Sequence, residues 1–291
     1  MSDTNGKKHL YEYSVDPLSD TAPARVVRAV GQRRKVLEVG SGPGSITRLL
    51  YEQNQCRVTA LEIDPEALKI VAQYCDRALS ADLNRSDWVD LLAGERFETV
   101  LAADVLEHLH DPLAALKNMR QLADPEKGEV IVSLPHVGHA AIMACIFDED
   151  FEYRDWGLLD RTHIRFFGIK NIQKLFDDAG LQIVSAEYVI RHPEQTELAA
   201  HWQALPEMVR TALSSNPFST VYQVVVKAIP AREGCKGLSL ITMPPAPLIV
   251  TSQAPTVMLG SSWPRRLARR YLSDNARGRI RHYAKRLGIS I

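Results

Sequence analysis

Residues 36–44 read VLEVGSGPG, a run of strand-forming side chains that breaks into glycines at Gly40, Gly42 and Gly44. The pattern predicts a strand over Lys35–Val39, a tight turn, and a helix reaching about Glu52. Glycines at such a junction remove the side chains that would keep a ligand away from backbone. A sharp turn whose acids only cap helices gives the same letters, so the neighbouring segments decide. A second strand, Arg57–Ile63, ends near Glu62, and an acid at that tip suits the paired hydroxyls of a ribose. A short third strand, Ala78–Ala81, is followed by Asp82, where an adenine amino group would fall.

Further out the alternation continues. Pro65 opens a helix to about Tyr74, its missing N–H being one that no helix start can pair. Phe97–Ala102 reads as a strand, and Asp111 caps a helix to about Leu122. Gly128–Leu134 is a fifth strand, with a helix after it. Asn171–Ala179 is helical and stops at Gly180. Leu181–Val189 and Val221–Ala228 follow one another without a strong helix between, which predicts an antiparallel edge. Repeated strand–helix units imply an α/β fold with a parallel sheet covered on both faces.

Composition bounds the rest. The 291 residues are 45% apolar and carry no net charge, which excludes wholesale disorder and a chain that coats nucleic acid along its length. Cys56, Cys75, Cys145 and Cys235 are scattered, with no C-x-x-C pair, as expected of reduced thiols. The polar start, MSDTNGKKH, has no apolar signal core, and the run Ala140–Phe147 is far short of the ~20 residues that span a bilayer. A soluble, cytoplasmic protein is the expectation. Charge is unevenly placed: Pro264–Ile291 holds nine Arg or Lys against Asp274 alone, a net +8, leaving −8 for the rest. Residues 230–263 are punctuated by prolines and read as a linker. The expected organisation is therefore a body over 1–229, a linker over 230–263 and a basic tail over 264–291. In the tail Leu272, Ile280, Tyr283 and Leu287 fall near one helical face, a pattern suited to an anionic membrane surface, an acidic partner or nucleic acid. The same helix folding back on the acidic body is the simpler alternative.

Two cofactor classes compete for the glycine loop. Dinucleotide sites use G-x-G-x-x-G and rest a pyrophosphate on the helix start. Here the spacing is G-x-G-x-G, and Glu38 precedes it within the strand. A carboxylate there repels pyrophosphate and favours a cationic ligand such as a sulfonium. VLEVGSGPGSITRLL, LEIDPEAL, ADLN and FETVLAADVLEHLHDP, in that order, resemble the class I S-adenosylmethionine-dependent methyltransferase family over roughly residues 30–190. The resemblance implies a Rossmann-like, seven-stranded sheet of order 3-2-1-4-5-7-6 with strand seven antiparallel. It also implies roles: Glu38 near the methionine end, Gly40, Ser41, Gly42 and Gly44 along the cofactor, Glu62 with Ile63 and Asp64 at the ribose. Asp82 and Leu83 would meet the adenine, and Ala103 and Asp104 the methionine part.

WGLLDRTHIRFF (156–167), with SLPHVGH (133–139) before it, is similar to methyltransferases of bacterial surface-polysaccharide and O-antigen modification, which often occur beside glycosyltransferases. Members of that group often carry Asn where His136 stands and Thr or Ser where Gly168 stands. A sugar hydroxyl is a poor nucleophile when neutral, so a base is needed, and histidine is the natural one near pH 7. His108 and His163 are the candidates. Their structural alternatives are a helix-start cap and a hydrogen-bond hub for the covering segment. His136 and His139 after strand five, with Arg161 and Arg165, are candidate acceptor contacts; pairing of the arginines with Asp160 or Glu107 is the alternative. No N-P-P-Y follows strand four, which argues against amino-group methylation by that mechanism, and no metal is expected. Tyr11 and Tyr13 belong either to a flap over the cofactor or to an arm packed on the sheet. The expected activity is O-methylation of a glycan or glycosylated intermediate, the tail contacting a glycosyltransferase or the inner membrane. Rival readings are a small-molecule O-methyltransferase for a quinone precursor or secondary metabolite, a non-catalytic adaptor, and an RNA methyltransferase, the last disfavoured by the acidic body.

Overall fold

The computed structural model describes residues 11–246 other than 93, 233 and 235. The basic tail and most of the expected linker lie outside the described residues. Seven strands form one sheet: β1 (Lys35–Val39), β2 (Arg57–Glu62), β3 (Arg77–Ser80), β4 (Thr99–Ala103), β5 (Glu129–Pro135), β6 (Leu181–Ile190) and β7 (Val221–Pro230). Their order is β3-β2-β1-β4-β5-β7-β6. β7 runs antiparallel to both β5 and β6, and the other neighbours are parallel. The expected sheet order and direction are those observed.

Why the sheet is covered on both sides is written in the alternation of its central strands. Leu37, Val100, Val130 and Val132 point into a core shared with Trp88, Phe97, Met119 and Phe176, under α4 (Pro112–Leu122) and α6 (Ile169–Asp178). Val36, Leu101 and Ile131 point the other way, toward α1 (Ala22–Val30), α2 (Ser45–Glu52) and α5 (Ala140–Phe147). Strands buried on both faces read as continuous apolar runs, as β4 and β5 do. α3 (Pro65–Val71) is shorter than its expected reach to Tyr74, the chain turning after Val71. Asp64 accepts from Glu66 N at 2.8 Å and Asp111 from Ala114 N at 2.9 Å, each capping the helix that proline opens.

Two elements depart from the expectation. Between β6 and β7 lie α7 (Ala199–Ala204) and α8 (Glu207–Ser214). They are short, and α8 buries no side chain, so no apolar stripe betrays them. Trp202 and Leu205 pack them onto Ala140 and Ala144 of α5. Beyond Pro230 the chain does not leave the body at once. Leu238 N donates to Ile183 O at 2.8 Å, Leu240 N to Gln173 Oε1 at 2.9 Å, and Leu240 is fully buried. The first part of the expected linker is a strap over β6 and α6.

Cys56 and Cys145 are buried thiols and Cys75 is half-buried. Among the described residues no helix is long and apolar enough to cross a membrane.

Leu101 is fully buried in the middle of the sheet. Leu101→Ala is expected to lower unfolding free energy by about 3 kcal/mol, read from urea denaturation; a change under ~1 kcal/mol would show that this face of the sheet is not close-packed.

Candidate functional site

Every candidate group sits where the parallel strands end. β1 hands over to α2 through the glycine loop, whose Gly40 and Ser41 amides donate to Leu61 O on β2 at 2.9 and 3.0 Å. Gly40, Gly42 and Gly44 all have positive φ, at 72°, 54° and 90°. Close packing excludes a side chain at two of them: a Cβ would lie 2.8 Å from Val105 at Gly40 and 2.9 Å from Val71 at Gly44. Gly42 differs. A Cβ there would meet nothing within 4 Å, so the loop presents bare backbone to open space.

Glu62 ties this loop to the next. Its Oε2 accepts from Gly42 N at 2.7 Å, and its Oε1 accepts from Ile63 N and Asp64 N at 2.9 and 2.8 Å. Beside it Ile63 is 59% exposed, an apolar side chain left uncovered at the sheet edge. Asp82 accepts from Asn84 N at 3.0 Å, and Asn84 in turn accepts from His110 N at 2.8 Å, linking the loops after β3 and β4. Leu83 packs partly into the core. Glu38 is buried on β1 and accepts from Thr47 Oγ1 at 2.6 Å. Burial raises its carboxyl to about 7; the Thr47 hydrogen bond opposes this and the charge of Glu62 adds to it. Tyr13 N donates to Ser45 Oγ at 3.1 Å at the start of α2, so the N-terminal arm crosses the loop. Burial and the nearby charges of Asp104 and Glu38 hold the Tyr13 hydroxyl well above its usual pKa.

These features fit S-adenosylmethionine. Bare backbone at Gly42, the Glu62 and Asp82 carboxylates at successive strand tips, and exposed Ile63 form an edge suited to a purine nucleoside. Glu38 and Asp104 add two further acids, on β1 and just after β4. Glu62 is also a structural clamp, which the sequence does not reveal, and Asp64 is a cap of α3.

The end of β4 carries the second group. Asp104 has φ +53°, an uncommon conformation for a residue with a side chain. It is held there on three sides: its N–H donates to Ser133 Oγ at 3.0 Å, its Oδ1 accepts from Ser133 Oγ at 2.8 Å, and its Oδ2 accepts from Gln223 Nε2 at 2.8 Å. Burial raises its carboxyl above the usual range, while the Ser133 and Gln223 bonds pull it down. Ala103, just before it, is half-buried. A short turn over Leu106–His108 follows. Glu107 is fully buried and neither carboxylate oxygen has a hydrogen-bond partner. Its carbonyl accepts from Ile164 N and Arg165 N at 2.9 and 3.0 Å, pinning the segment 148–167 over the end of β4.

His108 and His163 are brought together, with ring centroids 4.9 Å apart. His108 Nδ1 lies 3.1 Å from Thr162 O and 3.0 Å from Thr162 Oγ1, and that hydroxyl donates to Asp160 Oδ1 at 2.6 Å. A carbonyl can only accept, so Nδ1 carries the proton and Nε2 of His108 keeps its lone pair. His163 Nε2 faces Glu107 Oε1 at 3.9 Å. Burial, then the neighbouring His108, lowers His163 to about 4, with Asp160 and the Leu158 backbone opposing.

The other expected acceptor contacts are placed differently. His139 is fully buried and caps α5: Nδ1 accepts from Ala141 N at 3.1 Å, so its other nitrogen donates to Arg191 O at 3.0 Å. His136 is buried with Nδ1 3.1 Å from Val221 O. Burial lowers both to about 4. Both rings act as clasps between β5 and its neighbours, and His136 also borders a narrow space lined by His163, Arg165 and Phe166. Arg161 pairs with Asp155 on the surface, not with Asp160 or Glu107. Arg165 donates to His110 O at 2.6 Å. A groove of about 580 Å³ lies by Arg96, Lys117 and Gly180 at the starting ends of the strands and contains none of these groups.

Comparison with known proteins agrees with this architecture. The family described as "Methyltransferase domain" matches residues 13–186. A tRNA N(3)-cytidine methyltransferase of Rattus norvegicus is 28% identical over 55% of this chain and 59% of its own length. A ubiquinone biosynthesis O-methyltransferase of Actinobacillus pleuropneumoniae is 25% identical over 32% of this chain and 42% of its own. The chain thus spans about half the length of these relatives. A solved structure from Bacillus halodurans, described as a methyltransferase, shares the fold with a TM-score of 0.50 at 14% identity, covering 72% of this chain and 99% of that one.

Two calorimetric outcomes follow for S-adenosylmethionine. Glu62→Ala removes charge-assisted hydrogen bonds of about 1.5–3 kcal/mol each, so binding is expected to weaken at least about tenfold. With its carboxyl raised to about 7, Glu38 takes up a proton progressively as pH falls through that range. A cationic ligand prefers the ionised form, so affinity falls as pH drops from 8 to 6, by up to about tenfold per unit, and Glu38→Gln flattens that slope. A wild-type affinity flat across this range would remove Glu38 from the cofactor site.

Proposed function

The chain belongs to the methyltransferase domain family, as a class I enzyme that uses S-adenosylmethionine, and from that premise we propose that it methylates a hydroxyl oxygen of a sugar-containing acceptor. The observation that carries this reading is a row of aromatic side chains leading to the histidine pair. Phe166 meets Phe151 edge-on at 6.3 Å, and Phe151 meets Tyr153 at 5.3 Å. Tyr153, Phe166 and nearby Trp156 are all exposed. Phe166 and His163 border the same narrow space at the end of β5. Exposed aromatic faces with polar groups at one end suit the apolar faces and hydroxyls of a sugar ring.

Bound at Gly42, Glu62 and Asp82, the cofactor supplies a methyl carbon already made electrophilic by its sulfonium. The chain has then to align an oxygen with that carbon and keep water out. The segment 148–167 provides cover, pinned to β4 through Glu107 O and to β5 through Val137 N, which donates to Phe167 O at 3.0 Å. The acceptor proton leaves at the histidine pair, where His108 offers the Nε2 lone pair and Thr162 fixes the ring. Charge supports a small acceptor over RNA. Residues 1–263 carry a net −8, whereas a nucleic-acid interface draws most of its affinity from cations on phosphates.

The test supplies methyl-labelled S-adenosylmethionine with three acceptor classes in parallel: nucleotide sugars and oligosaccharides, phenolic quinone precursors, and tRNA. Label in a sugar methyl ether is expected. Tyr153→Ala and Trp156→Ala should each raise the acceptor KM about tenfold, the scale of one lost aromatic contact, with little change in kcat. Label confined to a phenol or to RNA would overturn the reading.

A further inference from the structure

We propose that Glu107, His108 and His163 hold a divalent first-row transition-metal ion at the acceptor end of the site. One nitrogen of each ring and one Glu107 oxygen lie within 4.8 Å of one another. Two imidazoles and a carboxylate are a donor set suited to zinc, iron, cobalt or manganese, with positions left open for a further ligand.

Three independent features point to a cation. The first is the orphaned carboxylate. Among the described residues Glu107 is the buried acid with both oxygens unpartnered, an expensive arrangement unless a cation or donor meets it. The second is the fixing of the His108 ring from behind. His108 donates Nδ1–H to Thr162 O, and Thr162 is itself anchored by its N–H and hydroxyl to Asp160 Oδ1 at 2.8 and 2.6 Å. His163 Nε2 in turn faces Glu107 Oε1 at 3.9 Å. A metal-binding histidine is oriented as His108 is, its second nitrogen donating to a backbone carbonyl so that the first stays a lone pair. The third is the lack of a competing side-chain cation. Among the described residues no Lys or Arg side chain pairs with Glu107. Arg161 and Arg165 are engaged by Asp155 and by His110 O. Ligation needs the three donors to close from 4.8 Å to roughly 3 Å apart around bonds of ~2.1 Å.

The inference rests on the reading that the acceptor hydroxyl meets the chain at His108, and it changes what that lone pair does: it holds the cation that acidifies the hydroxyl. The hydroxyl proton passes to solvent. The oxygen's electron pair forms the new C–O bond as the C–S pair returns to sulfur, so the donor leaves as the neutral thioether.

The experiment is direct titration of Co²⁺ into the full-length chain after dialysis against a chelator, followed by visible ligand-field absorption and calorimetry. One saturable site is expected, with Kd of micromolar or below. Glu107→Gln, His108→Asn and His163→Asn should each weaken it at least about tenfold while S-adenosylhomocysteine binding stays intact, which shows the fold is retained. His108 is half-exposed, so that variant keeps the test alive if Glu107→Gln fails to fold. Absence of a saturable site, or a site indifferent to these three changes, overturns the proposal. The readout needs no acceptor, so it stands apart from the sugar reading. If sugar methylation is found and is undiminished after chelation, the cation has no part in transfer and the proposal fails while the reading survives.

Discussion

Three backbone N–H groups converge on the Glu62 carboxylate, from Gly42, Ile63 and Asp64. The first lies in the loop after β1 and the other two in the turn after β2, so a single side chain joins two β–α junctions. Charge-assisted bonds of this kind are roughly twice as strong as neutral ones. The glycine loop has no apolar side chain to hold it, and this clamp, with the Gly40 and Ser41 bonds to Leu61 O, sets its position. Everything downstream inherits that placement. Gly40 packs on Val105, which leads into the turn bearing Glu107 and His108, and Gly44 packs on Val71 of α3. The loop after β1 is therefore registered against the turn after β4 and against α3 through glycines that admit no side chain.

How far the sequence speaks depends on how far apart the interacting residues lie. Gly40, Gly42, Gly44, Glu38 and Glu62 are legible because strand tips and loop are close along the chain, and the pattern encodes the junction itself. The sheet order is legible through resemblance, and the apolar runs of β4 and β5 explain it physically. Glu107 is not legible. In sequence it is one more charged residue in DVLEHL; its character comes from complete burial and from a segment some fifty residues away that folds over it. His136 and His139 carry a second role that the sequence hides for the complementary reason. A histidine after a strand reads as a ligand, but both point into backbone carbonyls that only the three-dimensional arrangement of β7 and Arg191 supplies. α7 and α8 escape because helices of six and eight residues with little buried surface leave almost no periodic signal.

The covering segment shows the same economy of attachment. Residues 148–167 include few apolar anchors, with Leu158, Leu159 and Phe167 buried and Tyr153, Trp156 and Phe166 exposed. It is held by backbone: Ile164 and Arg165 amides to Glu107 O, and Val137 N to Phe167 O. Asp160 adds an internal brace through Thr162. A segment fixed at its C-terminal end and at Leu158–Leu159 leaves Tyr153, Trp156 and Phe166 exposed, while the histidine it carries stays registered to β4.

The two ends of the site differ in how their charges are met. On β1 and β2 the carboxyl groups of Glu38 and Glu62 accept from Thr47 and from backbone amides, so they persist in a folded chain without any ligand. After β4 Asp104 is likewise satisfied, but only with a positive φ that an L-residue adopts at a cost of order 1 kcal/mol. Glu107, one turn later, is not satisfied at all, and an unpaired buried polar group costs about 1–3 kcal/mol or more. Two unfavourable features within four residues are hard to explain by packing, since Leu106 and Leu109 beside them are buried without strain. Stability alone would place an apolar side chain at 107. A carboxylate kept there, facing an imidazole whose tautomer is already set, is a group held ready for something the bare chain does not contain.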